Sequence, residues 1–430
     1  MSSTRTSPAT RWRTPPRGRP RARRPLSRGG SFFARILGIL GACWLVVAAL
    51  VAPVIPGGWL TMAGVMLVMT ALPLAAFIRN QRRREYPGAL VRLLVYRPFW
   101  YAQLLVLFVG FAGIAGAVVG APFGASGIVG RWMVGTAAAL YAIGIVAGWI
   151  GSRWLHVRQL TATFPDLPGA LEGLRIVQLS DLHIGPQTSR RFLDRVRSHV
   201  AAAGADMIVV TGDLVDDHAP DSAHYAAALG TMDAPLGVYV VPGNHDVYAN
   251  WPAVRAELDR LPVTILVNES RLVESGEGRF AIAGTGDPAG RWIASSRAAP
   301  DIEATLRDIP AGTFTIALAH NPSLWPALAD RGVDLTLSGH THWGQLALPR
   351  FKWSLAGVFL DHAMGVVSRD DSVLYIHPGT GFWGIPFRIG ARPEVTVIEL
   401  KRGHRVTLGP LDELADCHPE GAQRPKDLSN

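Results

Sequence analysis

Nine residues in five short blocks of the chain's second half have the types and spacing of a metal centre. In order they are Asp181 and His183 in Asp-Leu-His, Asp213 after Gly212, and Asn244, His245 and Asp246 after Gly243. His320 ahead of Asn321-Pro322 follows, and then His340 and His342 in Gly-His-Thr-His. Carboxylate, imidazole and amide donors without a thiolate argue against a cysteine-type structural zinc. They suit Mn, Fe, Zn or Co in an oxygen and nitrogen site. The donors are too many for one ion, and two divalent ions about 3.5–4 Å apart form the usual hydrolytic clamp on a phosphoryl group. In extended chain, residues i and i+2 point the same way. Asp181 and His183 are therefore expected to share one ion, and His340 and His342 stand in the same relation.

Each block follows an apolar, β-branched run: LRIVQLS, DMIVVT, GVYVVP, FTIALA and VDLTLS. Such runs read as buried strands of an α/β sheet with helical segments between them. Ligands of open α/β sheets bind in the crevice beyond the carboxyl ends of the strands, so five polar blocks at five strand ends converge on one crevice. FAIAG at 280–284, VLYI at 373–376 and VTVIEL at 395–400 add further strands. Gly243, after Pro242, and Gly339 are expected to serve tight strand-to-loop turns rather than chemistry.

The ordered set Ser180-Asp-Leu-His183, Gly212-Asp-Leu-Val-Asp216, Gly243-Asn-His-Asp246, His320 and Gly339-His-Thr-His-Trp-Gly-Gln345 resembles the calcineurin-like metallophosphoesterases. It is most similar to their bacterial branch of membrane-associated phosphodiesterases, and the resemblance covers residues 170–400 or so. It implies a four-layer α/β/β/α sandwich of two packed mixed sheets. It also implies roles: Asp181, His183 and His342 on a first metal, Asn244, His320 and His340 on a second, and Asp213 bridging both. His245 would contact the phosphate and serve the leaving group, oriented by Asp246, while metal-activated water attacks phosphorus in line. One departure is Trp343, which stands where the branch usually has Gly. Its indole would narrow the mouth, stack on a substrate base, or pack against the rim.

At 430 residues the chain is too long for one ordinary domain, and its charge divides sharply. Residues 1–35 carry ten Arg and no acid, and residues 36–155 carry eight Arg against Glu85 alone. Removing these from the net +9 leaves residues 156–430 at −8. The basic pI thus describes the front of the chain, and no nucleic-acid partner is expected, since such an enzyme places its basic surface around its site. The arm 1–35 reads as disordered, a topology signal or an attraction for anionic headgroups. Residues 36–155 read as a membrane domain with four spans, 36–55, 58–78, 99–121 and 132–152, each close to the ~20 apolar residues that cross a bilayer. Trp59, Trp100, Trp132 and Trp154 fall near their ends, as an interfacial belt would. The arm and the 79–97 loop hold the arginines and are expected in the cytoplasm, which places the catalytic domain, 156–405, on the cytoplasmic side of the inner membrane. The rival is an exported domain, although Arg23-Arg24 followed by Pro25 is a poor twin-arginine signal. Residues 406–430 read as a flexible tail.

Outside the blocks, His218, His224, His362 and His404 suit surface or packing roles, and His377 lies near the rim. Asp216 reads as a helix cap or a solvated acid. In the stretch from Gly381 to Glu394, Arg388 and Arg392 suit a phosphate contact or an ion pair with Glu394. Cys43 and Cys417 form no disulfide framework and neither looks catalytic. Together these point to a membrane-anchored, dinuclear metallophosphoesterase cutting a phosphodiester or pyrophosphate bond. A site held against a bilayer favours lipid-linked substrates. The alternatives are a phosphomonoesterase or protein phosphatase and, outside enzymes, a metal-stabilised membrane binding protein.

Overall fold

The computed structural model describes residues 28–83, 88–185, 187–216, 218–224 and 229–410. Most of the arm expected over 1–35, Arg84 and Glu85 of the 79–97 loop, and residues 411–430 lie outside the described residues. Two boundaries move. The first helix spans Arg28–Val51 and so begins inside the expected arm, just past Pro25. At the other end, Thr407–Gly409 is no flexible tail but a strand, because it pairs antiparallel with Thr161, Ala162 and Thr163 and buries Leu408.

Four helical stretches, Leu37–Val54, Gly58–Arg79, Arg92–Phe123 and Ser126–Gly151, are long and apolar enough to cross a membrane. Only a minority of their side chains are buried by the protein, so residues such as Leu60, Phe111 and Ile143 face outward. The expected 122–131 loop shrinks to a turn at Gly124, whose φ of 66° closes the third helix. Residues 126–131 are helical instead, since Ile128 and Val129 continue the apolar pattern and a lone Arg131 does not break it. Glycines bring the helices together: a Cβ at Gly110 would strike Cys43, and one at Gly130 would strike Leu50.

Beyond the helices lie β1 (His156–Phe164), β2 (Arg175–Leu179), β3 (Met207–Thr211), β4 (Val238–Val241) and β5 (Thr264–Ile265). These are followed by β6 (Glu269–Ser275), β7 (Gly278–Gly284), β8 (Thr315–Leu318) and β9 (Leu335–Ser338). A short ribbon, β10 (Ala347–Leu348) and β11 (Trp353–Ser354), precedes β12 (Gly365–Arg369), β13 (Ser372–Ile376), β14 (Glu394–Arg402) and β15 (Thr407–Gly409). One mixed sheet has the order β15-β1-β14-β2-β3-β4-β5 and the other β12-β13-β9-β8-β7-β6.

The period of two along each strand sorts side chains between layers. Met207 and Val209 of β3, with Ile176, Tyr239 and Val241, face Phe280, Ile316, Leu318 and Leu337 of the second sheet in a single core. Ile208 and Val210 point to the opposite face, against Leu193 and Val196 of helix Arg190–Ala202 and Val254 of helix Trp251–Leu258. On the far side, Ala317 and Ala319 meet Leu324 and Leu328. Helices, sheet, sheet, helices: the four-layer sandwich is present, preceded by four apolar helices.

The two regions touch near the strand ends that carry the polar blocks. The Arg388 N–H donates to the Gly148 carbonyl of the last helix at 2.9 Å, and a Cβ at Gly148 would strike the Phe387 ring. Arg92, at the start of the third helix, pairs with Asp221 at 2.9 Å, and the Arg392 guanidinium lies over Trp154.

Candidate metal centre

β2, β3, β4, β8 and β9 end side by side, and each hands over directly to one polar block. The blocks are not extended. Asp181, His183, Asp213, His340 and His342 all have left-handed backbones, with φ of 52°, 43°, 51°, 71° and 49°. That conformation costs a non-glycine residue about 1–2 kcal/mol, and such strain gathers at functional sites. It also overturns the expectation that residues two apart share one ion because the chain is extended. Asp181 and His183 do converge, but through tight left-handed turns, and His340 and His342 diverge into different groups. Gly243 and Gly339 provide close approach: a Cβ at Gly243 would strike the Asp213 carboxylate, and one at Gly339 would strike Ser180 and Asp181.

Three overlapping groups of donors result, each with ligand atoms within 4.8 Å of one another: Asp181, His183 and His342; His183, Asp213 and His245; and Asp213, His320 and His340. In the first, His342 Nε2 lies 3.2 Å from Asp181 Oδ1 and 2.9 Å from His183 Nε2. Asn244 joins the third, its Oδ1 lying 2.7 Å from His340 Nδ1 and 3.2 Å from His320 Nε2. Asp213 sits between the two sides, with Oδ2 at 3.2 Å from His320 Nε2 and 3.7 Å from His183 Nε2.

His245 lies at the edge of this cluster. Its backbone N–H donates to Asp213 Oδ1 at 2.8 Å, and its ring stands edge-on to His183 with centroids 4.8 Å apart. Trp383 and Tyr248, both about half exposed, flank it. Asp246 does not orient the His245 ring, which is a correction. Residues 244–248 form a helical turn, where neighbouring side chains point roughly 100° apart. Fully buried Asp246 instead accepts from the Gly243, Leu214 and Val215 N–H groups at 2.9–3.1 Å, clasping the β3 and β4 loops together. The His245 Nδ1 atom contacts the Asp216 carbonyl.

Asp216 is more than a cap or a solvated acid, because its Oδ1 also lies 3.5 Å from His183 Nδ1. Its position three residues after Asp213 was a readable signal, since a parallel bridge between Ile184 and Val215 lays the two loops side by side. Arg388 had no such signal. Its guanidinium is buried and sits 2.8 Å from His342 Nδ1, with the carbonyls of His342, Pro378 and Gly381 around it. It is therefore neither a phosphate contact nor the partner of Glu394, which instead accepts from Tyr375 and Thr396. Trp343 is buried, with φ of 53° and its indole N–H on the Ile376 carbonyl, so it packs beneath the rim. His377 is buried and accepts from the Gly379 N–H, apart from the three groups.

The electrostatics fit cations. Burial pushes the Asp181 carboxyl up, and Asp213 adds to the push. Burial acts on Asp213 in the same sense, but His320 and His245 outweigh it and hold that carboxyl well below the usual range. His320 is raised well above its ordinary value because Asp213 overcomes its burial. Burial, then His320, lowers His340 to about 4, and burial with Arg388 beside it lowers His342 well below its usual value. Neutral His340 and His342 and an ionised Asp213 are donor states that divalent metals require, whereas the proton that Asp213 holds on His320 would have to leave when an ion binds.

Residues 174–344 match the family model described as calcineurin-like phosphoesterase. The chain is 35% identical over 244 residues to a zebrafish (Danio rerio) protein named transmembrane protein with metallophosphoesterase domain, covering 55% of each. It is 31% identical over 242 residues to the uncharacterized metallophosphoesterase YkuE of Bacillus subtilis, covering 55% of this chain and 82% of that one. Over 321 residues it is 29% identical to the UDP-2,3-diacylglucosamine pyrophosphatase LpxG of Chlamydia muridarum, covering 62% and 97%. The match spans just over half the length of the zebrafish relative.

Proposed function

The chain belongs to the calcineurin-like metallophosphoesterase family, and from that premise we propose that it is a membrane-anchored, dinuclear phosphodiesterase or pyrophosphatase. The observation that carries the reading is a chain of overlapping donor groups: Asp213 is shared by His183-Asp213-His245 and Asp213-His320-His340, and His183 joins these to Asp181 and His342. Asp181, His183 and His342 would hold one divalent ion and Asn244, His320 and His340 a second, with Asp213 common to both. Such a pair, when bound, neutralises charge on a transferring phosphoryl group and lowers the pKa of a water.

The chain's own residues supply the rest. His245, at the edge of the cluster with its backbone N–H tied to Asp213, would contact the phosphate and pass a proton to the leaving oxygen. Asp246 is a positioning residue that keeps the Asp213 and Asn244 loops in register through three backbone hydrogen bonds. Trp383 and Tyr248 give the mouth an aromatic rim against which a bulky group can rest.

A lipid-linked substrate follows from two supports: the apolar helices packed against the domain, and a relative named for cleaving a diacylglucosamine nucleotide. The positive-inside pattern of the arm and of residues 79–97, whose described arginines lie at the ends of the second and third helices, favours a catalytic domain on the cytoplasmic face of the inner membrane. The test is hydrolysis of bis-p-nitrophenyl phosphate beside p-nitrophenyl phosphate, with detergent-purified protein stripped of metal and resupplied with Mn²⁺. Metal-dependent turnover of the diester is expected. Turnover of the monoester alone would replace the reading with a phosphatase, and no turnover of these or of a lipid-linked pyrophosphate would leave a binding protein.

A further inference from the structure

The excursion from Leu346 to Ala363 leaves the sandwich between the second metal-type histidine turn and β12, and it turns its apolar side chains outward. Phe351, Val358 and Phe359 are 74%, 60% and 79% exposed, and Leu348, Trp353 and Leu360 are exposed beside them. With Leu355, also exposed, seven large apolar residues within thirteen positions are more than the scattered surface leucines of a soluble domain, and patches of this kind mark interaction sites. Arg350 and Lys352 alternate with the aromatics, the composition of segments that lie in a membrane interface.

Its base ties this excursion both to the site and to the helices. Thr341, between His340 and His342, donates its hydroxyl to the Ala363 carbonyl at 2.7 Å, and the Leu355 N–H donates to Leu346 at 2.8 Å. The Ala347 N–H donates to Ile389 at 2.9 Å, and the adjacent Arg388 N–H donates to Gly148 near the end of the last helix. One short segment thus separates the apolar excursion from a helix whose own outward side chains need hydrocarbon. Arg92 with Asp221 and Arg392 with Trp154 hold the same edge of the sandwich towards the helix ends.

We propose that residues 348–360 form a lip inserted into the headgroup and upper acyl region of the bilayer that the four helices cross. The lip seats the metal centre at the membrane surface. Phe351, Val358 and Phe359 enter the acyl boundary, while Arg350 and Lys352 stay among anionic headgroups. The candidate centre then opens where the polar part of an amphiphile lies, so a phosphoester reaches it without its acyl chains leaving the leaflet. The proposal rests on the four helices spanning a membrane.

The experiment uses the full chain in nanodiscs of phosphatidylcholine and phosphatidylglycerol, with C43A and C417S as background. Single cysteines at F359C, I143C in the fourth helix, and E277C carry an environment-sensitive fluorophore, with a quencher on the lipid acyl chains. Glu277 lies in the hairpin before β7, which runs parallel to β8, so it marks the pole away from the site. Quenching at 359 should approach that at 143 and exceed that at 277 by about threefold or more, as interfacial burial requires. Strong quenching at 143 with 359 no different from 277 overturns the lip and leaves the spans standing. No quenching at 143 overturns the spans and the lip together. V358C repeats the reading at a second position, and metal-dependent diester turnover in each labelled protein certifies its fold.

Discussion

The two sides of the candidate centre are built differently. On one, Asp181, His183 and His342 are all buried, all left-handed, and backed by the Ser180 hydroxyl, the Asp216 carboxylate and the Arg388 guanidinium. On the other, His320 alone is fully buried, while Asn244 begins a helical turn and His340 is partly exposed next to the open edge where His245 stands. The first side is fixed by the packing of three loops. The second is fixed by a strand end and a helix start, so an ion there is expected to exchange more readily and to lie nearer the substrate.

The largest effect should come from the residue common to both sides. Asp213→Asn is expected to release both ions and to lower diester turnover ~1000-fold or more. Metal analysis and kinetics check this, and loss of one ion only would mean that the sides do not share Asp213. His245→Ala should keep both ions and the fold yet cost about 100- to 10,000-fold in kcat; unchanged turnover would move the proton donor elsewhere.

Next come substitutions aimed at one side each. Arg388→Met and Asn244→Ala should each weaken binding of a different ion by about 10- to 100-fold, as loss of an outer partner or a ligand does. Titrating the stripped protein with Mn²⁺ should show one phase shifted in each variant. The same phase shifted in both would erase the distinction.

The smallest effect belongs to neither side. Asp334 leads into β9, the strand behind both histidines, and burial raises its carboxyl to about 6 although the Thr315 N–H donates to it. A carboxyl raised on folding binds its proton more tightly in the folded state. Its contribution to stability therefore declines as pH rises from about 4 to about 6 and stays lower above that. Asp334→Asn should flatten the melting temperature across this window and leave turnover unchanged; an identical pH profile in variant and wild type would contradict the burial effect.

Much of this was legible in the chain. β2, β3, β4, β8 and β9 are parallel strands buried on both faces, and so they read as unbroken β-branched runs. The four helices are apolar on all sides, and their lengths identify them. What stayed hidden depends on contacts distant in sequence or on local backbone. β1 is interleaved with Arg, Gln and Thr and looks unlike a strand until β14 and β15 flank it. Asp246 follows His245 directly and reads as its partner, but a helical turn separates their directions. Arg388 lies 46 residues from the histidine it supports, with no spacing to announce it. The left-handed turns at Asp181, His183 and Asp213 are likewise invisible, because Asp and His do not declare a positive φ as Gly does.

The place of β14 governs the order in which this protein can be made. β14 lies between β1 and β2, parallel to one and antiparallel to the other, although more than two hundred residues separate its synthesis from theirs. Just before it, the Thr380 and Gly381 N–H groups donate to the Ser180 and Asp181 carbonyls at 2.7 and 2.9 Å. A ribosome that has released His342 has therefore delivered every proposed ligand but not the strand and turn that fix the first of them. Domains fold as units while chains emerge. Here the helices are made first and the centre can be completed only after β14 and the turn before it, later than every proposed ligand.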